Sequence, residues 1–468
     1  MDSKERREWL HKTADWMADY YDSIESRPVK SQVSPGDIKK SLGVPFGDQP
    51  QSLDGVFDWV DQTILPGMTH WGHPRFYAYF PSNTSLPSTM GEMMTAAMGA
   101  QCMIWETSPA AAETEEVVLR ELGNHLGIPP KWEGVIQDTA STATLSAFIV
   151  ARERATDFQF NETGNSPKPL RYYASDQIHS SIEKGIKIAG IGRQNLVYVP
   201  TNDQLQLDPV AFEQCVKQDI KKGFAPCCVV VALGTTGVTV IDSLSEIARI
   251  ANKYNIWVHV DAAYAGVLSL LPEYKYMMEG IEQADSYVVN AHKWLFTHFD
   301  CSLFYIKDAN ELIKTFEILP EYLKTSHRGE VNDYRDWGIP LGRRFRSLKL
   351  LLALRTFGMN QIRKRLAFHV DLGRELGKRV EAHSDLELLY PVNTNLVAFR
   401  YKKQNWSEEE ANQRTLELIE SINNEGFMYF TKTLVRGAAC IRWVPANTEI
   451  EVEHIEESWA KLLSHLNH

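Results

Sequence analysis

Between residues 86 and 360, short apolar runs rich in β-branched side chains alternate with stretches whose apolar residues recur at helical spacing. The short runs predict buried strands, and residues 243–254 form the clearest amphipathic helix between them. We predict seven strands, at residues 134–137, 171–174, 196–199, 228–233, 256–260, 286–289 and 302–306. Because strands alternate with helices, we expect an α/β fold with a mostly parallel central sheet covered on both faces. Such a sheet binds its ligand beyond the carboxyl ends of the strands.

Two segments with different patterns flank this α/β domain. The first, residues 1–85, opens with a helical pattern over residues 3–25 and continues as a Pro- and Gly-rich layer with short helices. Its first helix carries large apolar side chains at Trp9, Trp16, Met17, Tyr20, Tyr21 and Ile24. That aromatic surface needs a cover, which a partner subunit would provide. The last segment, residues 361–468, mixes a long helix with further strands and helices and predicts a smaller C-terminal α+β domain.

The composition is typical of a soluble globular protein, with 44% hydrophobic and 23% charged residues. The formal net charge of -11 argues against a general attraction to nucleic acid or anionic membranes. No apolar run approaches the roughly 18 residues of a membrane helix, and the charged N-terminus is unlike a secretory signal. The six cysteines form no CxxC pair, which fits a reducing compartment, so we expect a cytoplasmic protein.

Small hydroxyl residues stand at the turn between the first predicted strand and the helix that follows it. The segment 138–142 reads "DTAST" and leads into "ATLSAFIVARERA". The free amide groups of the helix's first turn, with the helix dipole, would favour a phosphate there. The alternative is an ordinary Ser/Thr helix cap with no ligand.

Three further residues follow predicted strands and could carry chemistry. His179 lies just inside a predicted helix, where a histidine is otherwise a packing or capping residue. Asp261 ends a strand, where a carboxylate either meets a cation or caps a helix. Lys293, in "NAHKW", follows another strand. Partial desolvation would keep some of its amine uncharged, the form that attacks carbonyls. Taken alone, Lys293 would be interpreted as a structural or anion-pairing lysine.

Taken together, these groups match the requirements of pyridoxal 5'-phosphate. The lysine would hold the aldehyde as a Schiff base, the aspartate would keep the pyridine nitrogen protonated, and the helix start would bind the phosphate. The loop 233–237, "LGTTG", which also follows a predicted strand, would form part of the same cofactor-binding site. We predict no metal site, because His70 and His73 lack a matching Cys/His cluster.

The motifs "HPRFYAYFPSNTS", "GVIQDTAST", "SDQIHSS", "HVDAAYAG", "NAHKW" and "DYRDWGIPLGRRFRSLK" resemble those of aromatic-L-amino-acid decarboxylase. That enzyme is a member of the pyridoxal-phosphate group II decarboxylases, and the resemblance runs roughly from residue 5 to 460. It implies the aspartate-aminotransferase-like fold (fold type I) and a homodimer with active sites at the interface. The N-terminal helices of one subunit would then pack on the other.

The resemblance also implies a role for each matching residue. Lys293 forms the Schiff base, Asp261 pairs with the pyridine nitrogen, and His179 stacks on the ring and faces the substrate. Further cofactor-binding positions are Ala140, Ser141 and His292 at the phosphate, Thr236 beneath the ring, and Asn290 close by. Tyr322 matches the tyrosine of a mobile loop that reaches into the partner's active site. It would protonate Cα with help from His179.

The substrate positions implied by the resemblance are Trp71, Tyr79, Phe80, Pro81, Ser82, Gln101, Met103 and Gly342. The first four match an aromatic-lined pocket, and the resemblance favours this interpretation of "FYAYFP" over the alternative of a packed core segment. Ser82 stands where many relatives carry threonine. Gln101 and Met103 form the partner-subunit wall, where animal members carry apolar and aromatic residues. Plant relatives with glycine at the position of Gly342 tend to prefer indoles.

We therefore expect decarboxylation of an aromatic L-amino acid to the amine and carbon dioxide, through an external aldimine and a quinonoid. Tyr322 favours this outcome over aldehyde synthesis, which relatives with phenylalanine at that position carry out. One alternative is decarboxylation of a non-aromatic amino acid such as glutamate, histidine or diaminobutyrate. The other is a non-catalytic scaffold, against which the presence of Lys293, Asp261 and Tyr322 argues. The sequence does not rank tryptophan, tyrosine, phenylalanine and DOPA.

Overall fold

The computed structural model describes residues 1–44, 46–318 and 329–466. The chain forms two compact units: the terminal unit, Met1–Pro81 with Asp371–His468, and the central unit, Ser82–Val370. The division into segments 1–85, 86–360 and 361–468, with the first on a partner subunit, stays a prediction. Among the described residues, no helix has the length and apolar character needed to cross a membrane.

The helices and strands follow one another in an alternating order through the central unit. The terminal unit begins with α1 (Ser3–Asp22), α2 (Asp37–Leu42) and α3 (Val56–Trp59). The central unit then contains α4 (Leu86–Met98), α5 (Pro109–Leu126), β1 (Glu133–Gln137), α6 (Ala140–Ala155), α7 (Phe160–Thr163), β2 (Leu170–Ser175), α8 (Ser180–Ile188), β3 (Leu196–Val199), α9 (Pro209–Lys221), β4 (Ala225–Ala232), α10 (Leu244–Lys253), β5 (Trp257–Asp261), β6 (Ser286–Asn290), α11 (Ala291–Trp294), β7 (Ser302–Ile306) and α12 (Ala309–Phe316).

Helix α13 (Arg346–Ala382) begins in the central unit and ends in the terminal unit. It is followed by β8 (Leu386–Leu388), β9 (Val397–Tyr401), α14 (Glu408–Glu425), β10 (Thr431–Val435), β11 (Ala438–Trp443) and α15 (Val452–Leu466). Short 3-10 turns lie at Ile24–Ser26, Leu65–Gly67, Arg193–Asn195, Ala265–Leu270, Pro272–Met278, Ile281–Gln283 and Tyr334–Trp337, and a π-turn at Val60–Ile64.

The central unit is built on a seven-stranded sheet with the order β1-β7-β6-β5-β4-β2-β3. All seven strands predicted from the apolar runs are confirmed, and the sheet is mostly parallel as expected. Strand β7 differs, because it pairs antiparallel with both β6 and β1. Only residues 291–301 separate β6 from β7, and a parallel crossover usually needs a dozen or more residues.

Helix α6 packs on one face of this sheet and forms much of the central core. Its inward side chains include Ala143, Ala147 and Phe148, which are fully buried together with Tyr172 of β2 and Val230 of β4. Small residues let the helix lie close to the sheet, so its first turn is held near the ends of the strands. The core therefore fixes the helix start that the sequence assigns to phosphate binding.

The terminal unit contains the second sheet, with the order β10-β11-β9-β8 and antiparallel pairing throughout. Strand β10, "TKTLV", has mostly polar, partly exposed residues at the edge of the sheet, so its sequence lacks the apolar run of a buried strand. The long helix predicted from residue 359 is present within α13. Gly358 has non-helical backbone angles (φ 66°, ψ 156°), which explains why the helical pattern restarts there.

Helix α1 begins with a capping box formed by Asp2 and Glu5, as its first residues favour. The rings of Trp9 and Trp16 lie 6.1 and 6.4 Å from the ring of Phe57, so the chain itself covers part of the aromatic stripe. No described residue of this helix is fully buried. The remaining aromatic surface is still open to a partner.

Candidate active site

The carboxyl ends of the parallel strands β4, β5 and β6 meet at one edge of the central sheet. Asp261, the last residue of β5, is in register with Ala232 of β4 and Val288 of β6. Its carbonyl oxygen accepts the N–H of Leu233, and the N–H of Asn290 donates to the carbonyl of Ala263. The loops that follow the three strands are therefore hydrogen-bonded to one another at this edge.

The carboxylate of Asp261 is fixed by its own loop. Its Oδ1 accepts the backbone N–H of Ala263 at 3.1 Å, and the side chain is half-buried. A carboxylate held in this way keeps its direction without rearrangement when a cation approaches. The side chain thus offers a preorganised negative group at the strand edge.

The loop after β4 contains one position that only glycine can fill, and a threonine side chain closes the loop with a hydrogen bond. Gly234 has a φ of 104°, and a Cβ atom there would lie 2.6 Å from the Cβ of Ala265. The hydroxyl of Thr235 accepts the N–H of Val240, which closes the loop. Thr236 is half-buried beside it. Only glycine fits at position 234, because the loop lies in close contact with Ala265, four residues after Asp261.

Lys293 lies in α11, directly after β6, and its side chain is half-buried. The Asn83 side chain donates a 2.9 Å hydrogen bond to the Lys293 carbonyl, and the Asn83 backbone N–H donates to the carbonyl of His292. Ser85 donates to the carbonyl of Phe296 at 2.6 Å. The sequence reasoning did not find these two positioning residues, although both lie in the motif "PSNTS".

Trp294, the neighbour of Lys293, is locked by two contacts. Its ring stacks on Tyr264 with centroids 4.6 Å apart and an angle of 5° between the planes. Its Nε1 donates to Nδ1 of His369 at 2.9 Å. The buried tryptophan therefore anchors the short helix that carries the lysine.

His292 is buried between Lys293 and the start of β7. Its Nδ1 lies 2.9 Å from both the N and the O of Cys301. Burial, with the nearby Lys293 ammonium, lowers the pKa of His292 to about 3, so the ring is neutral at neutral pH. When Nδ1 accepts the Cys301 N–H, the proton lies on Nε2 and can be donated to an anion.

Asn290, the last residue of β6 and the one before α11, is also held in place. The amide oxygen of Asn290 accepts the hydroxyl of Ser302 at 2.6 Å, in the pair that joins β6 to β7. Asn290 is almost fully buried, at 2% exposure. Its backbone and side chain are thus fixed by neighbouring strands.

The first turn of α6 is open to an anion. Among the described residues, the side chain of the N-cap residue Thr139 makes no capping hydrogen bond. Ala140 is half-buried and Ser141 exposed, so their amide groups lie at an accessible helix end. A second contact orients the helix, because Thr144 lies 3.1 Å from Nε2 of buried His259 on β5.

His179 is the N-cap of α8, one residue before the helix in which the sequence placed it. Its Nδ1 accepts the N–H of Ser181 at 3.2 Å, which leaves the proton on Nε2. Desolvation by the surrounding protein, then the charge of Lys293, lower the pKa of His179, and Asp261 opposes them. The structure therefore brings His179, Lys293 and Asp261 into one electrostatic environment.

Gln101 and Gly342 lie side by side. A Cβ atom on Gly342 would be 3.2 Å from Nε2 of Gln101. The Gln101 Oε1 accepts the N–H of Arg343 at 3.1 Å, and the carbonyl of Met103 accepts the N–H of Arg335 at 2.9 Å. Two of the predicted substrate positions are thus neighbours within the central unit.

In the terminal unit, Trp71 and Tyr79 stack with ring centroids 5.6 Å apart, and both are exposed. Tyr79 has a φ of 53°, which costs a bulky residue on the order of 1–3 kcal/mol. Phe80 is half-buried and Pro81 buried, whereas Ser82, half-buried, is the first residue of the central unit. Tyr322 lies outside the described residues.

The central unit's side chains fit the predicted cofactor. The open N-terminus of α6 and the neutral imidazole of His292 can donate to a phosphate, and Asp261 offers a fixed carboxylate to a protonated ring nitrogen. Lys293, in the short helix after β6, carries the amine that the sequence predicts for covalent attachment. Among the described residues, no group of His, Cys, Asp and Glu is placed to hold a metal ion.

Residues 35–402 match the family model described as "Pyridoxal-dependent decarboxylase conserved domain". The chain belongs to this family. It is 39% identical to phenylacetaldehyde synthase of Arabidopsis thaliana, over 98% of this chain and 95% of that protein. It is 38% identical to tryptophan decarboxylase 2 of Oryza sativa, over 99% and 94% of the two chains.

Among solved structures, tryptophan decarboxylase of Catharanthus roseus in complex with L-tryptophan superimposes with a TM-score of 0.94. The two chains are 34% identical, and the match covers 100% of this chain and 99% of that one. The predicted family, fold type, class of enzyme and cofactor are confirmed: the chain is a pyridoxal-phosphate-dependent decarboxylase. The roles of the individual residues stay predictions.

Proposed function

We propose that this protein converts an aromatic L-amino acid to the corresponding amine and carbon dioxide. The exposed stack of Trp71 on Tyr79 carries the proposal, because such a surface suits a planar side chain. The Arabidopsis and rice relatives and the Catharanthus decarboxylase are all named for products or substrates with aromatic side chains.

In this proposal, pyridoxal phosphate supplies an electron sink for the charge left at Cα when carbon dioxide departs. Lys293 would hold the cofactor through its side-chain amine. Asp261 keeps the ring nitrogen protonated, and the start of α6 with His292 Nε2–H binds the phosphate. His179, whose pKa is lowered by desolvation and whose Nδ1 accepts the Ser181 N–H, would stack on the cofactor ring on the side of the substrate. Tyr322 donates the proton to Cα.

A substrate panel tests the proposal. The purified, cofactor-loaded protein is given each common amino acid, and carbon dioxide and amine are measured. We expect equal amounts of both from at least one aromatic amino acid. Turnover confined to glutamate, histidine or diaminobutyrate would contradict the proposal.

The matched lysine variants are Lys293→Ala and Lys184→Ala, the second on the exposed side of α8. Lys293→Ala should lose the visible absorbance of covalently bound cofactor and all turnover, whereas Lys184→Ala should keep both. Retained absorbance in Lys293→Ala would show that another amine binds the cofactor.

Aldehyde formation is the second candidate function, favoured by the 39% identity to phenylacetaldehyde synthase. That reaction would consume oxygen and water and release the aldehyde, carbon dioxide, ammonia and hydrogen peroxide. Tyr322 favours amine formation, by the resemblance described above. An oxygen electrode and an aldehyde assay on the same reactions separate the two: amine without oxygen uptake supports decarboxylation, and aldehyde with oxygen uptake supports the synthase.

We further propose a homodimer, because α4 exposes an apolar face. Its exposed side chains are Leu86, Met90, Met93, Met94 and Met98. The opposite side is packed closely, since a Cβ on Gly91 would lie 2.6 Å from the Cα of Lys349. Gln101 and Met103, the predicted wall of the partner's substrate site, follow directly after this helix. A second copy is therefore the proposed cover.

Sedimentation equilibrium tests the dimer. We expect a dimer for the natural chain and a shift to monomer, with loss of activity, for Met94→Glu. Ile188→Glu, an equally exposed apolar position on α8, serves as the control and should stay dimeric. A monomeric natural chain with full activity would overturn the proposal.

The proposed compartment is the cytoplasm. All six cysteines lie among the described residues and are free thiols, which suits a reducing environment. A fluorescent fusion seen by microscopy tests this, and accumulation of the fusion in a secretory compartment would contradict it.

A further inference from the structure

The hydroxyl of Thr431, on the edge strand β10, joins two segments of the terminal unit. Its Oγ1 accepts the backbone N–H of Tyr79 at 3.0 Å and a hydrogen of Arg442 Nη1 at 2.8 Å. Both lone pairs of the oxygen are thereby used. Thr431 and Arg442 are also cross-strand partners in the pairing of β10 with β11. One hydroxyl thus connects the small sheet to the segment that contains Tyr79 and Phe80.

The bond to Tyr79 acts at a strained point of the backbone. Tyr79 is in the left-handed region, with a φ of 53°, which disfavours a bulky side chain. Such a conformation persists only where the surroundings hold it. The backbone two residues earlier is held by both of its polar groups: the N–H of Tyr77 donates to the carbonyl of Tyr429, and the carbonyl of Tyr77 accepts the N–H of Val444. At Tyr79 itself, the N–H is held by the Thr431 side chain.

The second hydrogen bond of Thr431 helps to hold the guanidinium of Arg442 over the ring of Phe80. The guanidinium of Arg442 lies 5.1 Å from the centre of the Phe80 ring, and Arg442 is only 4% exposed. A cation in that position is attracted to the face of the ring. Because Arg442 also donates to Thr431, the direction of the guanidinium depends in part on the same hydroxyl.

A further contact links the exposed ring of Tyr79 to Tyr429, which lies two residues before β10. The Tyr79 hydroxyl lies 3.4 Å from that of Tyr429, and the two rings meet edge to face at 6.1 Å. The ring of Tyr79 therefore contacts two aromatic rings: it stacks on Trp71 and meets Tyr429 edge to face. The ring positions follow from the backbone that Thr431 holds.

We infer that Thr431 is a positioning residue that sets the orientation of Tyr79 and Phe80 and so determines how well an aromatic side chain is bound. The inference rests on the proposed aromatic substrate. Thr431 does not touch the reacting atoms in this view. Its loss should therefore affect substrate binding more than the chemical step.

The test compares Thr431→Val with Thr431→Ser. Valine has the shape of threonine without the hydroxyl, and serine keeps the hydroxyl. We expect Thr431→Val to raise KM for the best aromatic substrate by about tenfold and to change kcat by less than about twofold. Thr431→Ser should restore KM to within about twofold of the natural value. The absorbance of the bound cofactor should be the same in all three proteins.

Thr433→Val is the matched control. Thr433 lies two residues along β10, on the same face of the strand, and undergoes the same substitution. It should leave KM unchanged. If Thr431→Val proves too unstable to purify, Thr431→Ala removes the same hydroxyl without a branched side chain, and the same change in KM is expected.

Two outcomes overturn the inference separately from the proposed function. If the natural protein turns over an aromatic amino acid and Thr431→Val has an unchanged KM, only the positioning role is wrong. The same holds if Thr431→Val lowers kcat and leaves KM unchanged, or if Thr433→Val matches it in KM. If the natural protein turns over only non-aromatic amino acids, the proposed function fails, and the inference fails with it.

Discussion

The side-chain amide of Gln101 lies 3.2 Å from the point that a Cβ atom on Gly342 would occupy. Gln101 is held there because its Oε1 accepts the N–H of the next residue, Arg343, at 3.1 Å. The space beside Gly342 is therefore bounded by a fixed polar group. Any side chain added at position 342 must either displace the Gln101 amide or occupy the space where a large substrate ring would lie.

Gly342→Ser should shift the substrate preference from the larger indole towards the smaller phenol. The backbone at Gly342 is outside the left-handed region, so a side chain causes no backbone strain there. Serine adds a methylene and a hydroxyl, and the loss of space for even one methylene changes discrimination between two substrates by roughly tenfold or more. We expect the ratio of kcat/KM for tryptophan to that for tyrosine to fall accordingly.

The control for this change is Gly47→Ser, at an exposed position where a Cβ would meet nothing within 4 Å. It should leave the ratio unchanged. An unaltered ratio in Gly342→Ser would place the substrate ring elsewhere.

Asn83→Ala should loosen the short helix that carries Lys293, the predicted cofactor lysine. The Asn83 amide is 1% exposed and donates to the carbonyl of Lys293, so its removal leaves a carbonyl without this partner. We expect unfolding to be easier by about 1–3 kcal/mol and the cofactor to dissociate faster. Differential scanning calorimetry and the decay of bound-cofactor absorbance after dilution measure the two effects.

Asn310→Ala, on the exposed start of α12, is the matched asparagine change. It should alter neither quantity measurably. Equal cofactor dissociation in Asn83→Ala and the natural protein would show that α11 is positioned without the asparagine.

The central sheet could be predicted from sequence because its strands are short apolar runs. Strand β4, for example, is buried along most of its length, and all of its residues are apolar. The direction of each strand in the sheet could not be predicted in the same way. The antiparallel entry of β7 depends on the length of the connection after Lys293, and a run of apolar residues carries no information about direction.

Lys293 and Asp261 could be singled out from sequence as candidate cofactor residues, because Asp261 ends a buried strand and Lys293 lies shortly after another. Asn83 could not, because its role depends on a contact with Lys293, 210 residues away in sequence. Thr431 was missed for a related reason: β10 has an edge-strand pattern without an apolar run, and its hydroxyl acts on Tyr79, 352 residues away. Residues that position others leave little local signal.

Trp294→Phe should weaken the anchor of α11 without removing the lysine. Phenylalanine can still stack on Tyr264 but cannot donate to Nδ1 of His369, so a buried acceptor loses its partner. We expect a loss of stability of about 1–3 kcal/mol in urea unfolding. Trp59→Phe, at an exposed tryptophan, should be close to neutral. Equal stability of the two variants would contradict the anchoring role.

His259 should make the folded state sensitive to acid. Its ring is fully buried between the hydroxyls of Thr144 and Ser286, and burial lowers its pKa from 6.5 to about 4, with Asp261 opposing the shift. Above pH 6.5, folded and unfolded chains both carry a neutral ring at this position. Between pH 6.5 and 4, the unfolded chain binds a proton that the folded chain does not, so stability is lost as the pH falls.

The measurable consequence is a difference between two unfolding curves. At its steepest, one such group changes the free energy of unfolding by about 1.4 kcal/mol per pH unit. His259→Gln removes this group, so its free energy of unfolding should fall less steeply from pH 6.5 to 4 than that of the natural protein. His73 and His292, whose pKa values are also lowered by burial, keep the remaining slope in both proteins. His11→Gln, at an exposed histidine, should leave the natural slope unchanged. Parallel curves for His259→Gln and the natural protein would mean that the buried ring is not the source of the acid sensitivity.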